Sequence, residues 1–336
     1  MGETMELSAE RLDEYNGRIT AYNKPFVLRR ADPYVTKASD GTYYMTGSFP
    51  EYDRIVLRKA DSLKGLTDNL SEKVIWKAHD EGIMSKHIWA PELHFVFGKW
   101  YIYFAAGEKN DIWKIRPYVL ECNGSDPFND IWKELGPLKA ADNDEFSFKA
   151  FSLDSTVFEH NGDTYIIWAE KVGVGRQISN LYIGRLKAAD KLDTVQVLLT
   201  TPDYDWERAG FWVCEGPAVL KGNGKLFVTY SASATGSCYC MGMLSADEKA
   251  DLLDRSSWKK ERYPVFMTDE EAGIYGPGHN SFTKDEEGAD ICVFHARTYE
   301  KITGDPLYDP NRHAMLMKVE WDNGFPRFLK ENIIVF

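Results

Sequence analysis

Short apolar runs separated by polar turns recur along the whole chain. The runs are rich in β-branched and aromatic residues and are shorter than a typical helix, so they predict β-strands. The same arrangement, a glycine followed by such a run, occurs five times, at Gly41, Gly98, Gly162, Gly224 and Gly288. Glycine reaches positive φ without a Cβ clash, so we expect each of these glycines at the turn of a β-hairpin.

The five hairpins follow a loose period. Their glycines are separated by 57, 64, 62 and 64 residues. A unit of about 60 residues with more than one hairpin is typical of a four-stranded propeller blade. A two-sheet sandwich also has short strands, but it does not predict this period. The sequence therefore predicts an all-β fold, a five-bladed β-propeller with blades of about four antiparallel strands.

The repeat accounts for the whole chain, and no linker rich in proline or serine interrupts it. We therefore predict a single propeller domain over residues 1–336, in which residues 1–24 form an N-terminal extension and lead-in. Helical content is expected to be minor. The candidate helical segments are Ala9 to Tyr15 and Ala246 to Asp254.

A second recurrent segment precedes each glycine, and we interpret it as the first strand of a blade. It reads ADPYV, WAPELHF, LDSTVF, EGPAVL and GHNSF in the five copies. The first strands of a propeller line its central channel, so the residues at their starts should converge at one mouth of that channel. Counting nine residues back from each glycine gives Asp32, Trp89, Leu153, Glu215 and His279, and Asp154 follows Leu153.

Three carboxylates near one another are unusual in a purely structural propeller, because burying them together costs stability. Paired carboxyl groups in a concave site are what glycoside hydrolysis requires, one as proton donor and one as base or nucleophile. The shared place of Asp32, Asp154 and Glu215 in the repeat favours this hypothesis. Taken singly, Asp32 could be a turn former before Pro33, and Glu215 could pair with a surface arginine.

Two further polar residues belong to the candidate site. His279 is either a buried core histidine or, near the axis, a residue that holds a cation or water. Arg297 follows the fifth hairpin strand. There it either neutralises and orients a catalytic carboxylate or forms a peripheral salt bridge.

Charge and cysteine content narrow the choice of partner and compartment. Lys and Arg number 40 against 52 Asp and Glu, and the net charge of −12 disfavours nucleic acid and anionic membranes. The five cysteines lack the spacing of a disulfide framework, so we expect reduced thiols, with Cys238 and Cys240 in the core rather than on a metal. No stretch resembles a membrane span or a signal peptide, which predicts a cytoplasmic protein unless a leader was removed.

These segments resemble family 43 of the glycoside hydrolases, whose fold is a five-bladed propeller. The resemblance covers nearly the whole chain and rests on RADPYV around Asp32, HIWAPELH around Trp89, SLDST around Asp154, CEGPAVL around Glu215 and GPGHNSF around His279. It implies an inverting hydrolase with Asp32 as general base and Glu215 as general acid. Asp154 would tune the pKa of the acid and help to orient it.

The resemblance also implies how ligands are held. No cofactor is required, but His279 would lie on the axis, where some members hold a calcium or other cation largely through water. Arg297 would contact the sugar. Phe49 and Trp89 are candidates for an apolar wall against the sugar, with ordinary core packing as the alternative.

Among family members, the segments DPYVTKASDGTYYMTGS, HIWAPELH and DPLYDPNRH most resemble exo-acting α-L-arabinofuranosidases that release arabinose from α-1,5-linked arabino-oligosaccharides. The alternatives with the same fold are a β-xylosidase, which usually carries an extra C-terminal domain, and an endo-arabinanase. A carbohydrate-binding propeller without catalysis and a scaffold for protein partners are the non-enzymatic alternatives. An exposed apolar or charged face would favour the scaffold.

Overall fold

The structure is a computed structural model that describes residues 19–172 and 175–336. The predicted helix from Ala9 to Tyr15 and most of the predicted N-terminal extension lie outside the described residues. In the described part of the chain, the strands assemble into five successive blades of antiparallel strands. This confirms the predicted five-bladed propeller.

The first two blades are regular four-stranded sheets in which each strand pairs with the next one along the chain. Blade 1 consists of β1 (Ala31–Lys37), β2 (Tyr43–Ser48), β3 (Arg54–Ala60) and β4 (Glu72–Lys77). Blade 2 consists of β5 (Lys86–Val96), β6 (Lys99–Glu108), β7 (Asp111–Cys122) and β8 (Trp132–Pro137).

The other three blades carry small variations. Blade 3 has β9 (Ser152–His160), β10 (Asp163–Lys171) and β11 (Ile178–Ala188), and both β12 (Lys191–Leu192) and β13 (Val197–Thr200) pair with β11. Blade 4 has β14 (Trp212–Gly222), β15 (Lys225–Ala232), β16 (Cys240–Asp247) and β17 (Lys259–Lys260). Blade 5 has β18 (Tyr275–Lys284), β19 (Asp290–Arg297) and β20 (His313–Lys318). A separate hairpin of β21 (Glu320–Asp322) and β22 (Phe325–Arg327) follows, before β23 (Ile333–Ile334) pairs with β20.

Contacts between blades tie the ring together. The segment ahead of β1 bridges to the last blade, because Val27 and Ala314 form an antiparallel pair. Blades 3 and 4 share a short parallel ladder between β11 and β14. Apolar side chains from neighbouring blades fill the space between the sheets, as Tyr103 of β6 and Trp168 of β10 do within one buried cluster.

Two local predictions need correction. The segment from Ala246 to Asp254 is not helical: Ala246 and Asp247 end β16, and turns lead to a 3₁₀ turn at Arg255–Ser257. The other 3₁₀ turns of the described residues are Lys64–Thr67, Asn69–Ser71, Asp205–Glu207, Pro306–Tyr308 and Lys330–Asn332.

Cys240 is buried as predicted, whereas Cys238 lies exposed in the turn before β16, and both are free thiols. No helix among the described residues is long and apolar enough to cross a membrane.

Candidate active site

A β-bulge interrupts the first strand of every blade near its start, where the pairing register shifts by one residue. One residue in each bulge has a left-handed backbone, with φ of 52° at Asp32, 45° at Ala90, 55° at Asp154, 54° at Gly216 and 41° at His279. Such a backbone is costly for residues other than glycine and is often found at functional sites. Bulges also redirect side chains, so these positions decide what reaches the axis.

The bulges correct the predicted alignment of the blades. By register, Ala31, Trp89, Leu153, Glu215 and Gly278 are equivalent, and the left-handed residues follow them by one position. The count of nine residues misses this in blades 1 and 5, because their first hairpins have longer turns than those of blades 2 to 4. Asp32 and Asp154 are therefore the left-handed residues of their bulges, whereas Glu215 directly precedes the left-handed residue of its bulge.

Three side chains from the left-handed position meet at the axis. His279 Nδ1 lies 3.2 Å from Asp32 Oδ1 and 3.9 Å from Asp154 Oδ2. None of the three residues is more than 7% exposed. Glu215 lines the same cavity, so the structure brings together the three predicted carboxylates and the predicted histidine.

Asp32 is surrounded by donors and positive charge. Arg312 donates from an NH group to Asp32 Oδ1 at 3.4 Å. The backbone N–H of Asp32 donates to His295 Nδ1 at 3.0 Å. The Ser48 hydroxyl donates to Oδ2. Burial opposes ionisation, but the charges of His279 and Arg312 outweigh it and hold the pKa of Asp32 well below its usual range.

The other two carboxyl groups have the opposite tendency. Burial is the main reason that the pKa of Asp154 and the pKa of Glu215 are both raised, although the charge of His279 partly offsets it. The negative charges of Glu215 and Asp32 raise the pKa of Asp154 further. The site therefore combines an ionised carboxylate with carboxyl groups that tend to keep a proton, which is the arrangement used in acid–base catalysis.

Two hydrogen bonds fix the region around Glu215. Tyr239 donates its hydroxyl to Glu215 Oε1 at 2.9 Å. The backbone N–H of Gly216 donates to Asp154 Oδ2 at 3.1 Å. Both the side chain of Glu215 and the peptide after it are thus held by groups from other parts of the propeller.

The carboxylates line a cavity of about 260 Å³ that opens to solvent. Its apolar lining consists mainly of Trp89, Trp113, Phe151, Leu153, Phe211, Trp212, Val213 and Leu307. Phe211 is 66% exposed and Trp113 is 49% exposed, so these rings lie at the mouth of the cavity. Aromatic faces pack against the C–H surfaces of sugars, and this lining suits a short carbohydrate.

Of the two aromatic residues predicted to contact the sugar, Trp89 lines the cavity and Phe49 does not. Trp89 lines the cavity and stacks on His87, with ring centroids 4.4 Å apart. Phe49 is not among the lining residues. The guanidinium groups of Arg30 and Arg54 lie over the Phe49 ring in cation–π contacts, at 5.0 Å and 4.6 Å from the ring centroid. Contact of Phe49 with a sugar stays a prediction.

Arg297 forms a salt bridge with Asp309, but the arginine is only 2% exposed, so the salt bridge is buried rather than peripheral as one prediction had it. Its Nε donates to Asp309 at 3.1 Å, and its two NH groups donate to the carbonyl oxygens of Thr235 and Pro306, each at 2.7 Å. These bonds connect β19 to the loop that carries Leu307, which lines the cavity. A direct contact of Arg297 with the sugar stays a prediction, whereas Arg312 lies at Asp32.

Sequence reasoning missed a second set of cavity residues. In each of blades 3, 4 and 5, the residue directly before the third strand lines the cavity. These residues are Gln177, Tyr239 and Arg312, in that order. The third strand runs parallel to the first, so both begin at the same end of a blade. The signal for them is their position directly before a third strand, which the repeat of the first hairpins does not include.

The described residues contain no group of three or more His, Cys, Asp and Glu side chains arranged to hold a metal. His279 directs Nδ1 to the two aspartates and so offers at most Nε2 to another ligand. The axial calcium or other cation therefore stays a prediction, and it would have to be held largely through water.

Comparisons with known proteins show similarity in sequence and in fold. The sequence matches the family described as Glycosyl hydrolases family 43 over residues 22–326. It is 46% identical to an α-L-arabinofuranosidase from Lactobacillus brevis of known crystal structure. The two structures superpose with a TM-score of 0.85, covering 92% of this chain and 96% of the other.

Two Streptomyces proteins named extracellular exo-α-(1→5)-L-arabinofuranosidase are also similar. The protein from Streptomyces avermitilis is 47% identical over 309 residues, which are 91% of this chain and 63% of that protein. The protein from Streptomyces chartreusis is 47% identical over 290 residues, which are 86% of each chain. The chain thus spans less than two thirds of the first relative and most of the second.

Proposed function

Because the chain belongs to glycosyl hydrolase family 43, we propose that it is an exo-acting α-L-arabinofuranosidase that removes arabinose from α-1,5-linked arabino-oligosaccharides by an inverting mechanism. The observation that carries the proposal is the group of Asp32, Asp154 and Glu215 around His279 in an aromatic cavity. A glycoside hydrolase needs these carboxyl groups in different protonation states.

Asp32 is the general base in this proposal. His279 and Arg312 keep its carboxylate ionised, and Ser48 and the backbone contact with His295 fix its position. An ionised carboxylate can accept a proton from the water that attacks the anomeric carbon. The proton leaves the water as the new C–O bond forms.

Glu215 is the general acid. Its raised pKa keeps a proton on the carboxyl group at pH values where an exposed glutamate is ionised. That proton passes to the glycosidic oxygen as the bond between the anomeric carbon and the leaving sugar breaks. Protonation converts a poor leaving group into an alcohol, which general acid catalysis requires.

Asp154 is the modulator. It accepts the N–H of Gly216, so it restrains the chain at the acid, and it lies next to His279. Ionisation of either carboxyl group opposes ionisation of the other by like-charge repulsion, so the pair of Asp154 and Glu215 tends to retain a proton. Asp154 therefore helps to keep a proton available at the acid.

The substrate class is supported by the relatives and by the cavity. The two Streptomyces relatives carry the exo-α-(1→5) activity in their names. The cavity is small and ringed by side chains from several blades, as a site for a terminal sugar requires. A β-xylosidase or an endo-arabinanase would use the same carboxylates with a different sugar or a more open mouth, and a non-catalytic propeller would bind without turnover.

The compartment is a separate part of the proposal. The predicted cytoplasmic location finds no support among the relatives, since two of them are named as extracellular. We favour the alternative of a secreted enzyme, which would meet polymeric arabinan. Immunoblotting of medium and cell fractions from the native organism would decide between the two compartments.

Product analysis tests the activity directly. The purified protein is given arabino-oligosaccharides, xylo-oligosaccharides and linear arabinan in parallel, and products are followed by chromatography and by NMR in the first minutes. Stepwise release of arabinose, formed first as the β-anomer, is expected. Xylose or internal fragments would change the substrate or mode of attack, a first-formed α-anomer would overturn inversion, and tight binding without product would favour the non-catalytic alternative.

A further inference from the structure

Tyr239 lies where it can act on the acid rather than on the sugar ring. It is 1% exposed, and it directly precedes β16 at the end of blade 4 that faces the cavity. Its hydroxyl donates to Glu215 Oε1 at 2.9 Å. The second oxygen, Oε2, is therefore the one left to carry the proton that passes to the glycosidic oxygen.

Two neighbours restrict the ring of Tyr239. It stacks on His295, with ring centroids 5.7 Å apart and planes inclined by 7°. His295 in turn accepts the backbone N–H of Asp32 at 3.0 Å. A Cβ on Gly278 would come within 2.5 Å of the Tyr239 ring, so only glycine leaves room for the ring at this position.

The hydroxyl of Tyr239 is a donor throughout the working range of pH. Burial, together with the charges of Glu215 and Asp154, raises its pKa well above that of a free tyrosine. It therefore stays protonated while Glu215 changes its charge. A donor with a fixed proton bonds more strongly to a carboxylate than to a carboxylic acid.

We propose that Tyr239 is a positioning residue that stabilises the carboxylate of Glu215 as that group gives up its proton. This inference rests on the proposed role of Glu215 as general acid. In the ground state the neutral carboxyl group accepts an ordinary hydrogen bond at Oε1. When the proton moves from Oε2 to the leaving oxygen, the same bond becomes charge-assisted, so it stabilises the transition state more than the bound substrate.

The stack with His295 gives Tyr239 a second effect. It connects the side chain that holds the acid to the side chain that holds the backbone of the base. The distance between Asp32 and Glu215 is thereby fixed by packing rather than by the substrate. Preorganisation of this kind lowers the cost of reaching the reactive geometry.

The test compares Tyr239→Phe with the wild-type enzyme on two substrates. An arabino-oligosaccharide needs protonation of its leaving sugar, whereas an aryl arabinofuranoside with an activated phenol does not. We expect kcat on the oligosaccharide to fall by about 10- to 100-fold, the effect of losing a hydrogen bond to a charged group. On the activated aryl substrate kcat should fall by less than about threefold, because little proton transfer is needed.

The pH profile gives a second readout that a purely structural role would not change. The hydrogen bond from Tyr239 lowers the pKa of Glu215, so its removal should shift the alkaline limb of kcat/KM to higher pH. Tyr103→Phe is the matched control, because Tyr103 is also a buried tyrosine whose hydroxyl has one acceptor, the carbonyl of Ala189, at 2.9 Å. This control should leave both the substrate ratio and the alkaline limb unchanged.

Glu215→Ala separates this inference from the proposed function. Loss of the acid should lower kcat of Glu215→Ala strongly on the oligosaccharide and only slightly on the activated aryl substrate. If Glu215→Ala behaves in this way while Tyr239→Phe matches the wild type, the role of Tyr239 is wrong and that of Glu215 stands. Equal losses of Tyr239→Phe on both substrates with an unmoved alkaline limb would also overturn it. If Glu215→Ala loses equally on both substrates, or the wild type cleaves neither, both proposals fail.

Discussion

The carboxylate of Asp154 accepts a hydrogen bond from the backbone N–H of Gly216, the residue directly after Glu215. The bond joins the bulges of two neighbouring blades, since Asp154 and Gly216 are the left-handed residues of β9 and β14. It places a carboxyl group that tends to keep its proton beside the chain that carries the acid. Two of the three carboxyl groups are thus coupled through the backbone as well as through charge.

Replacement of the base should stop turnover without unfolding the protein. Asp32→Asn keeps the size of the side chain and should lower kcat by at least about 100-fold, because general base catalysis contributes at least that much. Thermal denaturation should show a folded protein with one cooperative transition. The control is Asp53→Asn, a half-buried aspartate that is paired with Arg54 and does not line the cavity. Near-normal activity of Asp32→Asn would remove Asp32 from the mechanism.

The pH dependence of kcat/KM should be a broad bell. Activity falls at low pH when Asp32 takes up a proton, and the pKa of Asp32 is lowered. Activity falls at high pH when Glu215 loses its proton, and the pKa of Glu215 is raised. The acidic limb is therefore expected below about 3.9 and the alkaline limb above about 4.3, the ordinary values of the two side chains. An acidic limb above about 3.9 or an alkaline limb below about 4.3 would contradict the assignment.

Asp154→Asn should stabilise the protein at neutral and alkaline pH while it lowers activity. The pKa of Asp154 is raised on folding, mainly by burial, so the wild type loses stability as pH rises from the ordinary aspartate range towards the raised value. The neutral amide has no such loss and can still accept from Gly216. We expect Tm at neutral pH to rise by about 2 °C or more, which corresponds to roughly 1 kcal/mol.

Asp144→Asn is the matched control for this comparison, and the sign of its effect should be opposite. Asp144 is also buried, but it accepts hydrogen bonds from Ser147 and from backbone N–H groups, which outweigh burial and lower its pKa. Its contribution to stability is present at neutral pH and is lost as pH falls through the lowered pKa. Asp144→Asn should therefore lower Tm at neutral pH. Equal shifts of Tm in both variants would refute the assignment.

The aromatic mouth should contribute to binding more than to chemistry. Phe211→Ala is expected to raise KM for arabino-oligosaccharides by about 3- to 10-fold with little change in kcat, because a stacking face for the sugar is lost. Phe146→Ala is the control, since Phe146 has the same 66% exposure and does not line the cavity. Steady-state kinetics of both variants decide the point. An unchanged KM in Phe211→Ala would mean that the ring does not contact the substrate.

The sequence by itself determined the number of blades and the identity of the central carboxylates. The period of the turn glycines predicted five blades, and the residues at the starts of the first strands included Asp32, Asp154, Glu215 and His279. Both deductions rest on local rules. A hairpin needs a turn residue at a fixed place, and the first strands of a propeller share one axis.

Only the tertiary structure decided which side chains meet and in which protonation state. From the bulge to its partner on the second strand, the first hairpin of blade 1 is one residue longer than that of blade 2. The bulges set the direction of each side chain, because successive residues of a strand point to opposite faces. Tyr239 and Arg312 approach from the third strands of blades 4 and 5, far along the chain from Asp32. Burial and the charges around each carboxyl group exist only after these blades close, and they separate the pKa of Asp32 from that of Glu215.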